Sequence, residues 1–151
     1  MMITLKPWNT LLLGVWLSMV AAAQPASAAE ATVYKSPTCG CCGKWVEHLR
    51  ENGFQVTVTD MPNEPLKKLK AERGVPSKLA SCHTAVVEGY VVEGHVPADV
   101  IKRLLGERPQ VVGIAVPGMP IGSPGMEGRV KQPYKILSFD AQGNTSLYDS
   151  R

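Results

Sequence analysis

The spacing of apolar and polar positions changes several times along the chain, and each change marks an element. In "EATVYKSP" the β-formers Thr32, Val33 and Tyr34 predict a short strand that Ser36 and Pro37 end. Cys42, Trp45, Val46 and Leu49 then recur at helical spacing, with Lys44, Glu47 and Arg50 on the other side and Asn52-Gly53 as the stop. "FQVTVTDM" sets Phe54, Val56 and Val58 against Gln55, Thr57 and Thr59, the alternation of a second strand. A second helix has Asn63 as its cap, Pro65 in the first turn, Leu66 and Leu69 on one face, and Gly74 with Pro76 at its end. "TAVVEGYVVEG" reads as a hairpin about Glu88-Gly89, and "PADVIKRLL" as a third helix that stops at Gly106.

The resulting order, β-α-β-α-β-β-α over about residues 30–106, is that of the thioredoxin-like α/β fold, which the pattern resembles. Beyond it "GIAVPGMPIGSPGMEGR" has no period and reads as a Gly/Pro/Met loop. "YKILSFD" and "TSLYD" about Gln142-Gly143-Asn144 read as a C-terminal β-hairpin extension. So long a loop is not an idle connection in a compact domain, and a functional or mobile segment is expected.

Ahead of the first strand, Lys6 precedes an apolar run from Leu11 to Ala23, which Gln24 and Pro25 close before Ala26-Ser27-Ala28. This is the pattern of a secretory signal peptide over 1–28, cut before Ala29. The run falls short of the about 20 apolar residues of a spanning helix. The expectation is therefore a periplasmic protein, 29–151, with one domain and no membrane span after cleavage. Removing the leader takes away Lys6 and no acid, leaving 15 basic against 13 acidic groups, a net charge of +2. Nothing in that balance suggests a nucleic-acid surface, and no Ser-His-Asp set, phosphate loop or pair of acids points to hydrolysis.

Export changes the meaning of the cysteines. "SPTCGCCGKW" puts Cys39, Cys41 and Cys42 at the strand-to-helix turn, and Cys82 follows in "SKLASCHTAVV". Cys39 and Cys42 have the CxxC spacing of redox and metal sites, where a simple couple has no use for Cys41. Short rings through Cys41 strain a disulfide, so at most one bridge is comfortable: Cys39 with Cys42, or one of the three with Cys82. At least two thiols are left over, and outside the cytosol a bound metal protects them most simply. A helix start also favours thiolates, the metal-binding form.

In the thioredoxin topology the third strand runs antiparallel to the first, so Cys82 and His83 are expected to return against the cluster. The cis-proline that thioredoxins carry at this position has no counterpart here; the nearest upstream proline is Pro76. Four thiols and an imidazole make a soft site, preferred by Cu(I) and acceptable to zinc, and sulfurs bridging several Cu(I) ions spread the charge. Met119 and Met126, in the repeated tripeptide "PGM", are either outer thioether ligands or apolar loop anchors. His95 in "EGHVPAD" is a further candidate ligand, although a surface turn is the simpler reading. His48 and the charges of "LKKLKAER" read as solvated, and Trp45 as core.

The segments "YKSPTCGCCGKWVEHL", "SCHTAVVEGYVVEGHVPADVIKRLL" and "GIAVPGMPIGSPGME" together resemble the periplasmic CopG-like copper-resistance proteins. The resemblance spans about Ala31 to Tyr148 and implies a thioredoxin-like domain that binds copper through Cys39, Cys41, Cys42 and Cys82. It further implies a redox role between Cu(I) and Cu(II), with periplasmic copper-efflux or copper-carrier proteins as partners. Two other functions compete: a thiol-disulfide oxidoreductase using Cys39 and Cys42, and a structural Cys3His zinc module.

Overall fold

The computed structural model describes residues 28–151; the leader expected over 1–28 lies, but for its last residue, outside the described residues. The chain runs β1 (Glu30–Lys35), α1 (Gly40–Glu51), β2 (Gln55–Asp60), α2 (Asn63–Glu72), a 3-10 turn at Ser77–Leu79, β3 (His83–Val87), β4 (Tyr90–Glu93), α3 (Ala98–Glu107), β5 (Gly113–Ala115), β6 (Lys135–Phe139) and β7 (Thr145–Ser150). The strands form one mixed seven-stranded sheet in the order β2-β1-β3-β4-β5-β6-β7. β1 pairs parallel with β2 and antiparallel with β3, in a register that sets Lys35 opposite His83. The end of β1, where the cysteine turn begins, thus lies beside the start of β3, where Cys82 sits.

Alternation along the strands divides the core between the two faces of the sheet. Val92 and Ile114 point to one face, where Trp45, Val46 and Leu49 of α1 and Val100, Ile101 and Leu104 of α3 cover them. Val91 and Ala115 point to the other, against Val75, Leu79 and Phe139. The hairpin between β3 and β4 turns on Glu88 and Gly89, both with positive φ, 46° and 90°. That is the left-handed pair of a two-residue hairpin, and it agrees with the turn expected there.

Five expectations need correction. Gly113–Ala115, read as part of the loop, is the strand that joins β4 to the terminal hairpin. Three residues are too few to show a period. At Gly113 a Cβ would run into the Val91 carbonyl and the Phe139 ring, so glycine here permits sheet packing rather than breaking structure. α3 runs through Gly106 to Glu107 and turns at Arg108 with φ 49°. The Asn63 cap is not made, since Asn63 is already the first helical residue and no side chain caps α2.

The other two corrections concern charges read as solvated. Lys70 follows Leu66 by one helical turn on the inner face of α2 and is only 8% exposed. His48 is half-buried, and its Nε2 accepts the Ala98 backbone N–H at 3.1 Å, tying α1 to the start of α3. Burial holds the His48 pKa below its ordinary value against the opposing charges of Glu51, Asp99 and Glu127. The unfolded chain, with the higher pKa, takes up the proton first, so stability is present above about pH 6.5 and declines as the pH falls below it. Urea unfolding between pH 7 and 5 is expected to show this decline, and His48→Gln, which keeps an acceptor but does not titrate, to remove part of it.

Candidate metal centre

The site begins with the turn after β1. The Cys39 backbone N–H donates to the Ser36 carbonyl at 3.1 Å, which bends the chain so that Cys39 becomes the residue preceding α1. Cys42 lies one helical turn later on the inner face with Trp45 and Val46 and is fully buried, while Cys39 and Cys41 are partly exposed. Cys39 and Cys42 form a disulfide, and Cys41 and Cys82 are free thiols. One bridge and two leftover thiols is the partition that ring strain allows.

Cys82 comes from the other side. Its Sγ lies 3.3 Å from His83 Nδ1 and 3.1 Å from His95 Nε2. His95 Nδ1 lies 2.7 Å from the Pro124 carbonyl, which can only accept, so Nδ1 carries the proton and Nε2 presents a lone pair to the Cys82 thiol. The thiol has one proton, and giving it to His95 leaves His83 Nδ1–H to donate to the sulfur. His83 Nε2 is then a bare lone pair, buried and without a hydrogen-bond partner. Such an orphan costs about 1–3 kcal/mol, which a bound metal would offset. The surface-turn reading of His95 fails outright, because the side chain is fully buried.

Trp45 closes the pocket from α1. Its ring lies 4.3 Å from the His83 ring, centroid to centroid, and its Nε1–H donates to the Val96 carbonyl at 2.8 Å. The loop expected to be functional or mobile closes the opposite side. Gly125, with φ +84°, lies so close that a Cβ would stand 2.7 Å from the Cys41 carbonyl oxygen and 3.3 Å from His95 Nδ1. The two PGM methionines flank the cysteines. Met119 shares a groove of ≈ 530 Å³ with Cys39, Cys82, Ser81, Lys67 and Lys70. Met126 lines a second groove with Cys41, Lys44 and Glu127.

Beneath Cys82 lies a network that sequence reasoning missed. The Glu93 carboxylate, fully buried, accepts from Lys70 Nζ and from the Ser81 backbone N–H at 2.6 Å each through Oε1, and from Thr84 Oγ1 at 2.6 Å through Oε2. Lys70 also donates to Thr84 Oγ1 at 2.9 Å. Removing one partner of such a buried pair costs about 3–5 kcal/mol. An acid ending the apolar "YVVE" and a lysine one turn after Leu66 were the available signals.

Burial governs the protonation states. His83 is held well below the ordinary imidazole value by burial, with the His95 and Lys70 charges adding to it. His95 is lowered by burial against the Pro124 carbonyl and Glu127. Both rings are therefore neutral near pH 7, the form that binds metals. The Cys82 thiol is pushed up to about 11, first by burial and then by Cys41. The thiolate priming expected at the helix start thus does not extend to Cys82, which lies outside the helix.

Two sets of donors result, each with its atoms within 4.8 Å of one another: Cys39, Cys41, Cys42 and Cys82, and Cys82, His83 and His95. Among known proteins, a family described as a protein of unknown function, DUF411, matches residues 79–126, a span that holds Cys82, His83, His95 and both PGM tripeptides. No curated protein matches. Two solved structures, titled copper resistance protein CopG, Form 1 and Form 2, are each 42% identical, cover 82% of this chain and 98% of their own, and superpose with a TM-score of 0.76.

In the metal-free, disulfide-bonded protein the thiolate fraction of Cys82 near pH 8 is expected to be roughly a hundredfold below that of an unperturbed thiol. Iodoacetamide labelling followed by peptide mapping should therefore show Cys82 reacting slowly at pH 8 and its rate still rising above pH 10. A rate that levels off by pH 9 contradicts this environment.

Proposed function

The chain belongs to the family of the copper resistance protein CopG, and on that premise we propose that it is an exported copper-binding protein for copper tolerance, with Cu(I) as its cargo. The observation that carries this reading is the overlap of two donor sets at one atom, Cys82 Sγ. Thiolates are soft ligands that favour Cu(I), and neutral imidazoles extend the set. Once the Cys39–Cys42 bridge is reduced, four thiols within 4.8 Å of one another suit bridging between several Cu(I) ions. Met119 and Met126, on the two flanking grooves, are proposed as outer thioether ligands that receive or release the ion. Change of oxidation state between Cu(I) and Cu(II) belongs to the same proposal.

The thioredoxin-like assignment is part of this reading. The β2-β1-β3-β4 order, with α1 following β1 and carrying cysteines at its start, supports it. Periplasmic location rests on the leader pattern alone, and copper-efflux or copper-carrier proteins are the proposed partners. Among the described residues no helix is long and apolar enough to cross a membrane.

A thiol-disulfide oxidoreductase is the second reading, and the Cys39–Cys42 bridge, with one partly exposed and one buried sulfur, favours it. Cys82→Ser separates the two. Elemental analysis of the variant, purified from copper-exposed cells, is expected to find most of the copper gone while far-UV circular dichroism stays unchanged; full copper content sinks the shared site. If exchange is the function, the same variant still reduces a peptide disulfide at the parent rate. Loss of secondary structure on chelation points instead to structural zinc.

A further inference from the structure

Three sulfur-bearing side chains, Cys39, Cys82 and Met119, share the groove of ≈ 530 Å³ that Leu66 and Lys67 of α2 also line. Met119 is 52% exposed, and a built contact keeps it there. The Ser81 Oγ–H donates to the Gly118 carbonyl at 2.6 Å, while the Ser81 backbone N–H is held by the buried Glu93 carboxylate. The first PGM tripeptide is thus fixed to the Cys82 limb with its thioether in water. Leaving so large an apolar side chain uncovered forgoes burial, which a partner seated in the groove restores.

Charge narrows what that partner can be. No acid lines the groove. Lys70 is answered by Glu93 at 2.6 Å, and Lys35, whose Nζ also donates to the Ser36 carbonyl, is answered by Asp60 at 2.9 Å. Lys67 is exposed and makes no ion pair among the described residues; Glu64, on the first turn of the same helix, does not line the groove. One uncompensated positive charge therefore stands beside the sulfurs. The groove of Met126 differs, because Lys44 shares it with Glu127 and Met126 itself is half-buried.

Resting on the reading of Cu(I) as cargo, we infer that the Met119 groove is a docking surface for another protein, an acidic segment of which carries a soft donor to the ion. A cavity of this size takes a few side chains rather than the face of a domain. The carboxylates of that segment meet Lys67, and its thioether or thiolate reaches the ion beside Cys82 and Met119. Exchange is then a ligand substitution. Each bond from the ion to this chain is replaced by one to the partner, copper stays Cu(I), no electron moves, and a thiolate set free here takes a proton from solvent. Soft donors on both sides keep the ion bound throughout. A basic segment is repelled by Lys67, so the charge selects the partner as well as speeding its approach.

The test uses two synthetic peptides that share a central pair of methionines and differ in their flanks, glutamate in one and lysine in the other. Amide NMR titration of the metal-free, disulfide-bonded mature chain is expected to show the glutamate peptide shifting Leu66, Lys67, Ser81, Cys82 and Met119. The lysine peptide should bind at least about tenfold more weakly, a difference that about 1 M salt erases. Lys67→Glu is expected to abolish the preference, whereas Lys102→Glu, the same change of charge on α3 and outside the groove, keeps it. In a second arm Cu(I) is supplied anaerobically to the reduced chain as its complex with either peptide, and loading is followed by the ultraviolet absorbance of Cu(I)–thiolate bonds. Loading from the glutamate peptide should be at least about tenfold faster. Shifts that fall outside the groove, equal behaviour of the two peptides, or a preference that survives Lys67→Glu overturns the inference. Competition with a Cu(I) chelator separates the two levels: retention of Cu(I) without a peptide preference overturns the docking surface alone, and failure to retain Cu(I) overturns both this inference and the copper reading beneath it.

Discussion

The Glu93 carboxylate is the fixed point of this site. It lies at the end of β4, fully buried, and reaches back across the sheet to Thr84, down to Lys70 on α2 and forward to the Ser81 backbone N–H. Those contacts bracket Cys82 and His83 on one limb, and the chain continues from Glu93 through Gly94 to His95 on the other. Gly94 lets the limbs close up, since a Cβ there would meet the Ser81 side chain and the Val116 carbonyl at 2.6 Å. A buried ion pair is seldom the best way to gain stability, because desolvation offsets the attraction. Its consequence here is geometric: two loops at the end of a sheet, which water would otherwise loosen, hold a thiol and two imidazoles within contact of one another.

The cysteine turn and the Cys82 limb are brought together by strand register rather than by local sequence. Pairing Lys35 with His83 sets the residue before the CxCC turn beside the residue after Cys82. Each limb alone is incomplete. The turn supplies sulfurs in a geometry that closes one bridge, and the β3–β4 end supplies a partly buried thiol with imidazoles kept neutral by the low-dielectric pocket. The loop over residues 116–134 then takes the place of bulk water over part of the pocket, through Gly125 against α1 and Pro124 against His95.

Much of this was legible in the chain, for physical reasons that differ by element. The strands and helices of the first half announce themselves by period, because each has one buried and one wet face. The return of Cys82 to the cluster followed from topology. β5 was hidden by its length, and the roles of His48, Lys70 and His95 were hidden by their polarity. A charged or titratable side chain reads as solvated unless its partner is known, and the partners of these three lie 14 to 50 residues away or on the main chain. The single disulfide was foreseeable as one of several pairings; the one that formed joins Cys39 to Cys42 and leaves Cys82 a thiol between His83, His95 and the other sulfurs.

The clasp between Pro124 and His95 bears on how the sequence is free to drift. A main-chain carbonyl fixes the imidazole tautomer, so the chemistry of the side chain at position 124 does not enter the contact, and many replacements there leave the proton on Nδ1. The burden of mutational intolerance passes to the next residue. Gly125, like Gly94, combines a left-handed φ with a clearance that excludes even one methyl group. A site whose tautomer is set by backbone thus has its most brittle position at a residue that carries no functional group at all.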